Sequence, residues 1–176
     1  MSHGTDQTER TEPPLAADER TMLLAFLDLQ RQTLRLKASG LTAEQLRTPH
    51  PPSTLTLAGL LKHLALVEDD WLGEVMRGGE PREPWASVDW GADRDWEFHT
   101  ALEDEPEELF ALFDRAVADA DEVLAAHPDL DDLAAGTRHG RRPSLRWILL
   151  HMIEEYARHN GHADLLREAI DGQTGT

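Results

Sequence analysis

Apolar residues recur along most of this chain at the three-to-four-residue spacing of a helix buried on one side. Met22, Leu23, Phe26, Leu27, Leu29, Gln30, Leu34 and Leu36 mark a first helix, with Asp18 placed to cap it and Ser39-Gly40 to stop it. Thr42-Ala43-Glu44-Gln45 reads as a capped short turn that Pro49, Pro51 and Pro52 break. Ser53 or Thr54 is expected to open a second long helix through Leu57, Leu60, Leu61, Leu64, Val67, Trp71, Leu72 and Val75, which Gly78-Gly79 ends. A third starts at Pro106 and carries Leu109, Phe110, Phe113, Val117, Ala120 and Leu124 up to His127-Pro128. A fourth starts at Pro143-Ser144 and runs to about Ile170. No run alternates with a period of two, and no Asn-Gly or Asp-Gly joins two apolar runs. Four amphipathic helices without strands predict an all-α four-helix bundle.

The segments between helices are uneven. Residues 80–104 form a long connection that holds Trp85, Trp90 and Trp96, and 129–142 form a second. Residues 1–14 are polar and Pro-rich and read as a disordered tail, 15–172 as the bundle, and 173–176 as a C-terminal tail. The tryptophans, with Trp71, either wall a pocket or anchor the long connection, and anchoring is the default. Glu68, Asp69 and Asp70 read as a solvated face, and Arg138, Arg141 and Arg142 as loop charges able to meet substrate carboxylates.

Composition narrows the function. The 34 acidic residues outnumber 17 basic ones, for a formal charge of −17. Such a surface repels phosphate backbones and anionic lipid, so neither nucleic acid nor a membrane is an expected partner. With no cysteine there is no disulfide, no Cys-zinc site and no cysteine nucleophile, so any thiol chemistry needs a thiol from outside the chain. The first 14 residues lack the apolar stretch of a secretion signal, and the expected location is cytoplasmic.

Against this background three polar side chains stand where apolar stripes should pack. His63 lies within Leu60-Leu61-Lys62-His63-Leu64 of the second helix. On the fourth helix, at about 100° per residue, His159 falls inside the stripe of Leu145, Leu149, Met152 and Tyr156, with Glu155 at its edge. Glu155 and His159 are four residues apart and therefore neighbours on one face. A carboxylate there is costly unless it is paired or holds a metal. If the second and fourth helices face each other, two imidazoles and a carboxylate form a metal-ligand set with an open position, the arrangement of a catalytic rather than a structural site. The donors suit Zn²⁺, Ni²⁺ or Fe²⁺ alike. The competing explanation is a Glu–His hydrogen bond without metal. His162 and His151 lie farther round the helix as candidates to orient a ligand or move a proton. His-Glu-x-x-His, Glu-x-x-His, Gly-x-Ser-x-Gly and Gly-rich phosphate loops are absent.

At these residues the chain resembles the DinB/YfiT-like metalloenzymes, and within them the actinobacterial-type DinB-like branch. The resemblance spans roughly residues 18–172. It rests on Leu61-Lys62-His63-Leu64 with Glu68 and Trp71, on Asp95-Trp96-Glu97-Phe98-His99-Thr100, and most specifically on the run from Glu154 to Arg167. It implies a DinB-like four-helix bundle with a three-residue metal site near one end. Typical members use three histidines, and here Glu155 stands where the first of a His-x-x-x-His pair would be. The same change resembles mycothiol-dependent maleylpyruvate isomerase, a relative with a His-Glu-His zinc set. That enzyme has a further C-terminal domain with no counterpart among these 176 residues, so the resemblance extends to the fold and the metal site and not to that isomerisation. Many relatives read Arg-Gly-Gln after the last ligand, whereas this chain reads Asn160-Gly161-His162.

The implied activity is metal-dependent transfer of a low-molecular-weight thiol, mycothiol or bacillithiol, to a small-molecule electrophile. A metal-water hydrolase and a non-catalytic dimeric bundle protein of stress response are the alternatives. The resemblance also makes a homodimer an expected assembly.

Overall fold

The computed structural model describes residues 10–174. Residues 1–9 of the expected N-terminal tail and 175–176 of the C-terminal tail lie outside them. Beyond that point Arg10 donates to Thr33 Oγ1 and the Thr11 amide to Gln32 Oε1, so the chain is already laid along the first helix.

Among the described residues six α-helices form, α1 Glu19–Ala38, α2 Ala43–Leu46, α3 Leu57–Glu68, α4 Trp96–Thr100, α5 Pro106–Ala126 and α6 Leu145–Asp171. The four long ones make the bundle. α1 lies against α6 and α3 against α5, while α3 also meets α1 and α6. Their stripes of Leu27, Leu34, Leu60, Leu64, Phe113, Leu149, Met152 and Tyr156 merge into one core. Among the described residues the β structure is limited to two isolated bridges, and no helix is long and apolar enough to cross a membrane.

Local chemistry sets the helix ends. Asp18 accepts the Thr21 amide, and Thr42 with Gln45 closes a reciprocal capping box. Ser144 caps α6, and Gly172 ends it at φ 75°. The start of α3 differs from the expected Ser53 or Thr54. Ser53 is held in a turn, its amide on the His50 carbonyl and its hydroxyl under the Leu55 amide. Thr56 therefore takes the cap, accepting the Gly59 amide at 3.0 Å.

α3 does not end at Glu68. It continues as a π-helix, Asp69–Met76, a wider winding that is rare and tends to mark functional sites. The acidic run at this junction is not a solvated face. Glu68 is fully buried and takes a two-pronged Arg31 guanidinium, with both bonds at 2.7 Å, and the Tyr156 hydroxyl at 2.7 Å. Asp69 accepts Trp85 Nε1–H at 2.7 Å. These partners come from distant parts of the chain, so periodicity within α3 does not reveal them. Burial alone would lower the pKa of Arg31, and the Glu68 charge more than reverses this, so its net shift is upward. Burial, then the Glu68 charge, pushes the Tyr156 phenol well up.

The long connection is packed by its own aromatic side chains. Trp85 and Trp90 each meet Trp96 edge-on, and Lys62 Nζ lies 4.5 Å from the Trp96 ring centre. Anchoring is thus the role of these three rings, whereas Trp71 meets Trp147 and His151. Within the connection α4 comes unusually close to α3. A Cβ on Gly59 would stand 2.9 Å from Phe98 Cδ1, so glycine here lets α4 settle one turn away from His63. The second loop hooks onto the end of the π-helix, where the Ala135 and Gly136 amides donate to the Met76 and Val75 carbonyls.

Candidate metal centre

His63 projects from α3, and Glu155 and His159 from α6, toward a common point. Glu155 Oε1 is 3.8 Å from His63 Nε2 and 3.6 Å from His159 Nε2. The two imidazole ring centres are 4.9 Å apart. One donor atom from each of the three residues lies within 4.8 Å of the others. A tetrahedral ion with bonds of about 2.1 Å needs donor separations of about 3.4 Å, so small side-chain rotations bring this triangle onto one. The cluster is mostly buried, with side-chain exposures of 18, 16 and 11% for His63, Glu155 and His159.

Neighbouring groups fix each of the three. Glu97, on α4, accepts from His63 Nδ1 at 2.9 Å, while Phe98 stacks on the His63 ring with centroids 4.8 Å apart. With its proton on Nδ1, His63 presents a lone pair on Nε2 to the cluster. Carboxylate–histidine pairs of this kind orient metal ligands. Arg158 reaches Glu155 Oε2 at 3.2 Å, leaving Oε1 facing the imidazoles. His159 Nδ1 is 3.4 Å from His162 Nδ1. Burial, followed by repulsion from His63, lowers the His159 pKa to about 4. The ring is therefore neutral and able to ligate at neutral pH.

The donor set fits a divalent cation on a second count. Glu97 is 4% exposed, and its Oε2 is buried with no hydrogen-bond partner. An interior carboxylate so placed is costly. A cation held by His63, Glu155 and His159 would supply the compensating charge one imidazole away.

The sequence pattern missed Glu97, although it lies in the Trp96-Glu97-Phe98 run that carries part of the family resemblance. Its one local signal is a carboxylate between two aromatic residues inside a connection. Of the two secondary candidates, His162 stands beside His159. His151 lies a turn before Glu155, stacked on Trp147 at 5.2 Å and edge-on to Trp71 at 4.4 Å. It is not part of the three-residue cluster.

An all-α bundle with a buried His-Glu-His cluster able to hold a divalent metal defines a DinB/YfiT-like protein. Comparison with protein families narrows this further. The family described as MST, mycothiol-S-transferase, matches residues 22–172, and the chain belongs to it. A comparison with curated proteins gives no match. Family and site together support metal-dependent enzymatic activity on a small-molecule, thiol-related substrate.

Removing the carboxylate behind His63 should weaken the centre without dismantling it. Glu97→Gln is expected to lower divalent-metal affinity by roughly 10- to 100-fold, the usual effect of losing such a support. Competition against a chromogenic chelator measures it, and an affinity equal to the parent's would show that the pair plays no such part.

Proposed function

We propose that this protein is a metal-dependent S-transferase that joins a low-molecular-weight thiol of the mycothiol type to a small electrophile. The observation that carries this reading is the convergence of His63, Glu155 and His159, backed by Glu97, in a chain of the mycothiol-S-transferase family. The absence of cysteine agrees with a thiol that arrives as substrate.

In this reading His63 Nε2, Glu155 Oε1 and His159 Nε2 are the ligands. Zinc is the leading assignment, and nickel and ferrous iron suit the same donors. A divalent ion held there supplies the positive charge that makes a thiol ionise at neutral pH. The overall reaction breaks the thiol S–H bond and the bond to a leaving group, forms one S–C bond, and releases the leaving group with the proton. Glu97 keeps the Nδ1 proton of His63 in place and so preserves its donor tautomer. Arg158 restrains Glu155. His162, half-buried beside His159, is the group placed to pass the thiol proton to solvent.

The test is turnover with mycothiol and a panel of electrophiles, using protein purified without a histidine tag, before and after chelation. The expected result is thiol consumption that chelation abolishes and zinc restores. Thiol-independent hydrolysis of the same panel would replace this reading with the hydrolase. Failure of every electrophile in the presence of stoichiometric metal would favour the non-catalytic bundle.

A further inference from the structure

The chain as a whole carries a charge of −17, yet three of its 17 cationic side chains, Arg138, Arg141 and Arg142, fall within five residues. The backbone holds two of them in a fixed relation. His139 and Gly140 adopt φ 51° and 73°. The Arg138 amide donates to the Arg141 carbonyl at 2.7 Å, and the Arg141 amide returns the bond at 3.1 Å. Two left-handed residues inside such a mutual pair make the tight turn of a two-residue hairpin. Residues paired in this way send their side chains to the same face, where like charges repel.

The repulsion is only partly relieved. Arg138 lies 3.2 Å from Asp70 Oδ2, and its guanidinium carbon is 5.0 Å from the Trp71 ring centre. Arg142 gives its N–H groups to the Ala134 and Leu133 carbonyls, and no carboxylate lies within salt-bridge distance of it among the described residues. Arg141 has no carboxylate within salt-bridge distance among the described residues. With His139, Pro143 and Trp147, the three arginines line a pocket of about 570 Å³.

One wall residue of this pocket, Trp147, stands on the helix that carries Glu155 and His159. Trp147 lies on α6 eight residues before Glu155, with His151 midway, so the three follow one another along a helix face. At 1.5 Å per residue the first and last are about 12 Å apart along the axis. His151 and Trp71 continue the wall beside Trp147, with ring centres 4.4–5.3 Å apart.

We propose that the Arg138–Arg141–Arg142 pocket is an anion subsite that takes a carboxylate or phosphate group of the electrophilic substrate. The anionic end docks under Arg141 and Arg142 while the molecule lies along Trp147 and His151, its reactive end at the cluster. The link to an electrophile rests on the proposed thiol transfer, whereas anion binding in the pocket does not. Carboxylate and phosphate share the two-pronged fit to a guanidinium.

Titration of the full chain with succinate and with inorganic phosphate, at constant ionic strength, tests this through the change in tryptophan fluorescence, to which Trp147 in the pocket wall contributes. Saturable binding of at least one anion is expected, and which one binds identifies the group. Arg141→Gln, at an exposed turn, should weaken binding by about 10-fold or more, in keeping with the loss of a charge-assisted contact. His159→Ala should leave binding unchanged. No saturation with either anion overturns the proposal, as does equal affinity in Arg141→Gln with its helical circular dichroism intact. Loss of binding in His159→Ala would also overturn it, because the anion would then sit at the metal centre. If thiol transfer fails but the Arg141 effect holds, the proposed activity falls and the subsite stands.

Discussion

Replacing His159 with alanine is expected to remove bound divalent metal almost completely while leaving a folded bundle. Losing a supporting group behind a ligand already weakens affinity by roughly 10- to 100-fold, and losing one of the three proposed ligands should exceed that. Elemental analysis of untagged protein reads the effect directly. The matched control is His162→Ala, which removes the neighbouring imidazole at 3.4 Å but none of the three converging donors, and it should keep its metal. A second readout follows from linkage. An ion that binds only the folded state stabilises it by about 2.7 kcal/mol at 100 times its dissociation constant. Chelator should therefore lower the melting temperature of the parent and leave that of His159→Ala unchanged. Stoichiometric metal retained in the folded variant would remove His159 from the ligand set.

His63, Glu155 and His159 were legible in the sequence because helical periodicity is a local property. A polar residue inside an apolar stripe shows up whatever the stripe packs against, so the three emerged from a wheel and a spacing. What a wheel does not contain is the facing of α3 and α6, and the structure supplies that. Glu97 escaped because its position depends on α4, a five-residue helix whose Phe98 ring packs over Gly59, where a Cβ would come within 2.9 Å of it. Nothing near Glu97 in sequence announces that approach. Glu68 and Asp69 were misread for a related reason. They sit beside Asp70 in a run that looks like surface, but Arg31, Tyr156 and the Trp85 indole reach them from 37, 88 and 16 residues away. The junction there also changes from α to π winding, so the 100° count no longer reports which way a side chain points.

Glu68→Ala is the substitution expected to cost the most stability, and the reason lies in what it leaves behind. Glu68 accepts both prongs of Arg31 and the Tyr156 hydroxyl in a fully buried position. Without it the Arg31 guanidinium, itself 6% exposed, has among the described residues one carboxylate left within ion-pair distance, Asp121, which is 61% exposed. Removing one member of a buried ion pair typically destabilises by 3–5 kcal/mol, because the remaining charge is uncompensated. For a chain of this length that corresponds to a fall in melting temperature of roughly 6–20 °C. The paired replacement Arg31→Met with Glu68→Leu should be much milder, since exchanging a buried ion pair for apolar residues of similar volume is often close to neutral. Chemical denaturation of the parent, both single variants and the double variant separates the terms, and additive losses would show that the two residues are not coupled. The effect should also reach the metal centre. Tyr156 adjoins Glu155 on α6, and Glu68 stands where the helix that carries His63 passes into π winding, so this buried contact ties together the two helices that bear the cluster. Glu68→Ala should therefore weaken metal binding without touching a ligand, whereas the double variant, if it restores packing, should recover part of it.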